Sequence, residues 1–254
     1  MPRRALIVGL GLIGGSIGIA LKSRGWRVAY VDPNVDESDA RRAADERFAG
    51  GDVDLVILAT PVDQAKNILD FGLPILDSAP IQNPKSKIQN RTTSVASVMK
   101  PLRDAAPEAT FIAGHPLAGS EQRGLAAARG DLFIDKKWFV DRDDEIVNQL
   151  IIDCGAEKHL VDAEAHDRAV ALTSHLPQIL STALAAAEPD EAFAGTGLET
   201  FLRLAKSDAS VWAPVIAANR ENIRAHFERV MTIARTIIDD DPHEAFARAQ
   251  RYSR

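Results

Sequence analysis

Arg4-Ala5-Leu6-Ile7-Val8-Gly9-Leu10-Gly11-Leu12-Ile13-Gly14-Gly15-Ser16 is the stretch whose reading decides the fold. Residues 4–9 read as a short apolar strand, the glycines as a tight turn, and residues 16–23 as a helix by their spacing. Strand, glycine turn and helix in that order make a cradle for a dinucleotide. Gly9 permits the turn, Gly11 lets backbone N–H groups approach a pyrophosphate, and Gly14 lets the helix pack on the strand, with Leu12 and Ile13 completing the turn. The helix N-terminus then directs its positive dipole end at the phosphates. A second strand, Trp26-Arg27-Val28-Ala29-Tyr30-Val31, ends in Asp32 at the offset expected for a ribose-binding carboxylate. Such a carboxylate accepts hydrogen bonds from both ribose hydroxyls and repels a 2′-phosphate, which favours NAD over NADP.

The pattern continues downstream. Residues 53–59 have the composition of a buried strand, end in Thr60-Pro61-Val62, and are followed by a helical segment at 63–69. Thr60 and Pro61, at the carboxyl end of that strand, are assigned to the cofactor. Further strands are expected at 73–76, 111–113 and 138–140, with a proline-containing polar loop at 77–87. Apolar strands alternating with helices predict a Rossmann-type, doubly wound α/β domain with a mainly parallel sheet. From residue 162 the texture changes: Ala, Leu, Glu and Arg dominate and strand runs cease, predicting an all-helical second domain. The expected boundaries are 1–162 for the dinucleotide-binding domain and 163–254 for a helical domain.

Size and composition agree with two modest domains. The chain has 254 residues, 46% hydrophobic and 26% charged, and a formal net charge of −6 that argues against nucleic acid or an anionic membrane as partner. Cys154 is the only cysteine, so a disulfide framework and a cysteine-based metal site are excluded, and a reducing cytoplasm is expected. Met1-Pro2-Arg3-Arg4 before an apolar run superficially suggests a signal peptide, but glycines interrupt it at once. No His/Asp/Glu spacing matches a metal site, and no metal is expected.

The chemistry is expected at Gly114-His115-Pro116-Leu117-Ala118-Gly119-Ser120-Glu121. His115, held between a glycine and a proline just after the 111–113 strand, reads as a proton-handling group at that strand's carboxyl end, where ligands bind in open α/β sheets. A turn histidine bonded to a nearby carbonyl is the competing reading. In the helical half, Asp162 is a plausible N-cap, and Pro177 in Ser174-His175-Leu176-Pro177-Gln178 should bend or restart its helix. The kink could aim His175 and Gln178 into a site, or reflect packing. Arg203 and Ser207 are four residues apart, so on a helix they share one face, and a guanidinium with a hydroxyl can clamp a carboxylate. The amphipathic segments 179–187 and 215–238 carry more apolar face than a small domain covers, which predicts a homodimer.

Taken together, Gly9 to Ser16, Gly114 to Glu121, Ser174-His175-Leu176-Pro177, and Arg203-Leu204-Ala205-Lys206-Ser207-Asp208 with Trp212 resemble the prephenate and arogenate dehydrogenases of tyrosine biosynthesis over nearly the whole chain. The resemblance implies NAD-linked oxidative decarboxylation of prephenate, with His115 taking the ring hydroxyl's proton and Arg203 binding a substrate carboxylate with help from Ser207. It also implies that His175 and Gln178 line the substrate site and that Glu121 gates it or pairs with a basic residue. A minimal family member is expected, without a fused mutase or an added regulatory domain. Two departures stand out. The family's compact Asp-x-x-Ser-x-Lys is represented by Asp77 and a distant Ser86-Lys87, with Ser86 the substrate-binding candidate, and Glu199 stands one position before the family's usual acidic residue. Arogenate dehydrogenase is the nearest alternative. A β-hydroxyacid dehydrogenase using Lys206 and a non-catalytic NAD-binding sensor are more distant ones.

Overall fold

The structure, a computed structural model, describes residues 2–72, 91–119 and 122–252. The expected strand at 73–76, the 77–87 loop with Ser86, and Glu121 lie outside the described residues. The chain divides into two compact units, Met1–Asp167 and Arg168–Arg254.

In the first unit, β1 (Arg4–Val8) leads through the glycine turn into α1 (Leu12–Ser23), and then come β2 (Arg27–Val31), α2 (Glu37–Ala40) and β3 (Glu46–Arg47). The chain continues with β4 (Leu55–Leu58), α3 (Val62–Phe71), β5 (Arg91–Ser94), α4 (Lys100–Ala105) and β6 (Phe111–Ile112). These strands form a parallel sheet in the order β3-β2-β1-β4-β5-β6. The order reverses between β1 and β4, so the crevice outside their carboxyl ends, at Val8 and Leu58, is the topological switch point where such sheets bind ligands. Leu6, Ile7, Leu55 and Ile57 are at most 1% exposed, and burying each contributes about 1.5–3 kcal/mol. Sequence reading missed β5. Its Thr92, Thr93 and Ser94 are buried yet polar, and only the β-branched threonines signalled a strand.

A second, smaller sheet joins β7 (Gly114–Pro116), β8 (Lys137–Val140) and β9 (Glu157–Leu160), with α5 (Glu145–Asp153) between the last two. β7 pairs antiparallel with β8, and β8 pairs parallel with β9. His115 therefore follows the carboxyl end of β6, as expected from sequence, but within a further short strand. It occupies the middle of β7, opposite Phe139. The chain breaks at Ala113, whose N–H donates to Asp141 Oδ1 (2.9 Å). Asp141 also takes the Arg103 Nε–H, and Arg103 Nη2 donates to the Phe111 carbonyl (2.7 Å). This nearly buried ion pair fixes the step from the large sheet to the small one.

α6 (Ala163–Val170) begins in the first unit, with the Asp162 carboxylate accepting the Ala165 N–H (2.9 Å) as its cap. One π-turn, Ala171–His175, separates α6 from α7 (Leu176–Ala186), which carries Pro177 in its first turn. A proline there has no N–H to give to the preceding turn, and the helix widens locally instead of ending. The run Ala163–Ala186 is long and apolar enough by composition to span a bilayer, and it holds buried, hydrogen-bonded His166 and Asp167. The second unit continues with α8 (Thr196–Leu202), α9 (Ala209–Ala218), α10 (Arg220–Asp239) and α11 (His243–Tyr252). The helix expected to run through 215–238 is interrupted at Asn219, whose φ of −117° and ψ of 22° separate α9 from α10.

Candidate active site

The glycine turn is shaped for a ligand's backbone-lined approach. Gly9 adopts φ +92°, and a Cβ there would lie 2.7 Å from the Ala59 carbonyl oxygen. A Cβ on Gly14 would come within 2.0 Å of the Gly9 oxygen, so the first turn of α1 closes on the strand only with glycine. Gly11 faces open space, supplies no side-chain cap to α1, and is followed by a first turn without acidic residues. Leu12 and Ile13, half-buried, pack on the core. Thr60 Oγ1, beside Gly9, is buried and has no hydrogen-bond partner among the described residues, a polar atom of the kind a bound ligand satisfies, while the adjoining Pro61 is exposed. Asp32 Oδ2 accepts the Leu10 N–H and Oδ1 the Asn34 N–H, both at 2.8 Å. Each carboxylate oxygen keeps a lone pair for ribose hydroxyls. These residues fit a dinucleotide.

His115 lies beyond the β5 and β6 edge of that sheet. A Cβ on Gly114 would sit 2.7 Å from the Ser94 carbonyl oxygen, so glycine is what allows β7 to press against the end of β5. In the loop after β5, Ser97 is the one side chain of residues 95–99 that is not buried. His115 Nδ1 is 3.0 Å from His166 Nε2, and His166 Nδ1 is 2.8 Å from Asp167 Oδ1. Sequence reading missed His166 and Asp167 as site residues. A signal existed: Ala163, His166, Asp167 and Val170 form the i, i+3, i+4, i+7 stripe of α6, and all four are buried. Two polar residues on a buried stripe demand partners.

The second unit carries the other candidates. Arg203 opens a single 3₁₀ turn, Arg203–Lys206, and Ser207 follows in extended conformation. The two therefore do not share an α-helical face as expected, because the tighter turn and the extended residue change their relative direction. Arg203 lines an open hollow of about 450 Å³ with Glu199, Thr200, Leu202 and Lys206. Gln178 Nε2 donates to the Leu204 carbonyl (2.8 Å), pinning the turn to α7, and Ser181 Oγ donates to the Phe201 carbonyl (2.7 Å), pinning the end of α8 before it. Gln178 thus supports the arginine's turn with the amide that was expected to line the site. Asn222 Nδ2 donates to Asn219 Oδ1 (2.8 Å), which leaves Asn219 Nδ2 to donate to His175 Nδ1 (3.1 Å). A neutral His175 then carries its proton on Nε2. Trp212 meets its ring edge-on at 5.9 Å.

Comparison with known proteins identifies the family of both units. The nucleotide-binding domain of prephenate dehydrogenase matches residues 17–157, and the prephenate dehydrogenase dimerization domain matches residues 162–251. A probable prephenate dehydrogenase of Streptomyces niveus is 34% identical across 90% of this chain and 66% of its own length. A cyclohexadienyl dehydrogenase of Zymomonas mobilis is 28% identical across 84% of this chain and 80% of its own length. In fold, the chain is similar to the prephenate dehydrogenase of A. aeolicus, solved with hydroxyphenyl propionate and NAD+, at a TM-score of 0.80 and 23% identity over 100% of this chain and 96% of that one. With a doubly wound nucleotide-binding unit followed by a helical one, the chain belongs to the prephenate dehydrogenase family of oxidoreductases.

Proposed function

We propose that the protein is a cytoplasmic, homodimeric, NAD-dependent prephenate dehydrogenase that converts prephenate to 4-hydroxyphenylpyruvate in tyrosine biosynthesis. The observation that carries the reading is an imidazole, His115, held from behind at Nδ1 in the nucleotide-binding unit. Bound at the glycine turn, NAD supplies the hydride acceptor. His115 Nε2 takes the proton of the ring hydroxyl as that carbon becomes a carbonyl, while the carboxylate on the ring departs as carbon dioxide and the ring becomes aromatic. The imidazole must be neutral to accept. Arg203 holds a substrate carboxylate, Ser207 and His175 donate to the substrate, and Gln178 keeps the arginine's turn in place. Asp32 accepts from the adenosine ribose, and Gly9, Gly11, Leu12, Ile13, Gly14, Thr60 and Pro61 surround the dinucleotide.

Arogenate differs from prephenate by an amino group in place of a keto group on the side chain, and the broader name of the Zymomonas mobilis relative keeps it as a second reading. Incubation with NAD and each compound separates them: prephenate should give NADH and 4-hydroxyphenylpyruvate with the higher kcat/KM. Preference for arogenate would transfer the assignment to that substrate. Absence of turnover with both would sink the proposal.

A further inference from the structure

We infer that His166 and Asp167 are positioning residues that hold His115 in its Nδ1–H form and so present its Nε2 lone pair as the base. The inference rests on the reading of His115 as the proton acceptor, and it deepens that reading. Asp167 is 2% exposed and its two oxygens face two backbone N–H donors and one imidazole nitrogen. Oδ1 accepts the Met99 N–H (2.8 Å) and lies 2.8 Å from His166 Nδ1, and Oδ2 accepts the Lys100 N–H (2.9 Å). A backbone N–H already donates to each oxygen of this carboxylate, so Asp167 meets His166 as an acceptor. His166 Nδ1 must then donate, which leaves a neutral His166 with a lone pair on Nε2. That nitrogen is 3.0 Å from His115 Nδ1, which must donate in turn. The chain of donors fixes one result: the neutral His115 ring has its lone pair on Nε2.

Packing holds the same order. His166 is 2% exposed, its ring meets His115 edge-on at 5.1 Å with planes 86° apart, and Phe139 covers it at 5.5 Å. Phe139 is also the register partner of His115 across β7 and β8, so one side chain and one backbone pairing locate both rings. The Asp167 contacts with Met99 and Lys100 lie at the start of α4, directly after the loop that leaves β5. The carboxylate therefore joins the imidazole pair to the carboxyl end of the sheet. An isolated imidazole prefers its proton on Nε2, so the opposite form at His115 needs this support.

The decisive measurement is the long-range ¹H–¹⁵N spectrum of the histidine rings in the intact wild-type protein at a pH where they are neutral. His115 and His166 should both show the proton on Nδ1, and a His115 proton on Nε2 overturns the inference. Among variants, His166→Leu should lower kcat by roughly 10–100-fold with KM and NAD affinity within about twofold, the cost of losing a group that orients a reacting one. His166→Gln, whose amide oxygen can still accept from Nδ1–H, should recover most of that loss. A folded His166→Leu protein with wild-type kcat also overturns the inference. The spectrum does not depend on turnover, so it separates this claim from the assignment of His115 as the base, which fails instead if His115→Asn retains full activity.

Discussion

In the first unit Trp138, Tyr30 and Phe133 are each at most 1% exposed, whereas Phe193, Ile238 and Tyr252 in the second are 86%, 79% and 89% exposed. The contrast extends to polar groups. Several of the second unit's buried side chains are polar, namely His175, Gln178, Ser181 and Asn219, and they act by tying backbone turns together. The first unit closes an apolar core around its sheet, although Phe71, Ile152 and Leu160 stay exposed at its surface, and it buries Ser16, Thr92, Thr93, Ser94, His166 and Asp167 as well. The second unit ties its turns together by hydrogen bonds and leaves large apolar side chains of its helices exposed. A preformed base and an uncovered helical unit are the two halves of the functional reading.

The largest expected effect tests the preformed half. His115→Asn removes the acceptor nitrogen while keeping a similar size, and kcat should fall by about 10²–10⁴-fold with NAD affinity retained. Steady-state kinetics with a separate NAD titration checks both, and undiminished turnover removes His115 from the mechanism.

The second prediction tests the uncovered half. In a two-fold dimer each substitution counts twice, so Ile238→Asp on α10, combined with Phe246→Asp on α11, should weaken association by at least ~10²-fold through lost apolar burial. Sedimentation at micromolar protein should show dimers for the wild type and monomers for the variant. Monomeric wild-type protein would mean that these faces stay uncovered. A smaller effect joins the two halves at the level of catalysis. Arg203→Ala should cost roughly 1.5–3 kcal/mol in kcat/KM, mostly as a higher KM, because a charged hydrogen bond to a non-reacting carboxylate acts equally on ground and transition states. Weaker NAD binding with unaltered substrate KM would contradict that role.

What could be read from sequence follows the same division. The glycine turn, Asp32 and the strand before Thr60 were legible because each depends on local spacing, and the parallel sheet followed from them. β5 was not, because Thr92, Thr93 and Ser94 bury hydroxyls where the pattern leads one to look for apolar residues. His115 was read at the carboxyl end of the 111–113 strand, but the short strand β7 that carries it was not, since the break at Ala113 depends on Asp141, 28 residues away, and its Arg103 partner. The His115–His166 contact spans 51 residues and the Asp167–Met99 bond 68, separations that no window of sequence can connect. The local geometry at Arg203 was not legible, because the 3₁₀ turn and the end of α8 before it are bonded to Gln178 and Ser181 of α7.

The smallest effect concerns a residue that the chemistry does not use. Cys154 is 2% exposed, and burial pushes its thiol above the ordinary value of 9.0. The folded protein therefore keeps this proton at a pH where the unfolded chain releases it. With fewer protons bound in the unfolded state, stability falls as pH rises past about 9, by up to about 1.4 kcal/mol per pH unit. Urea unfolding at pH 8 and pH 10 should thus show a greater loss for the wild type than for Cys154→Ala, by about 1–2 kcal/mol, since the other titrations are common to both. A thiol reagent at pH 8 should label the wild type only after denaturation. Equal pH dependence of the two proteins, or rapid labelling of native Cys154, would show that the first unit's core opens more readily than its burial implies, and would narrow the contrast between the two units.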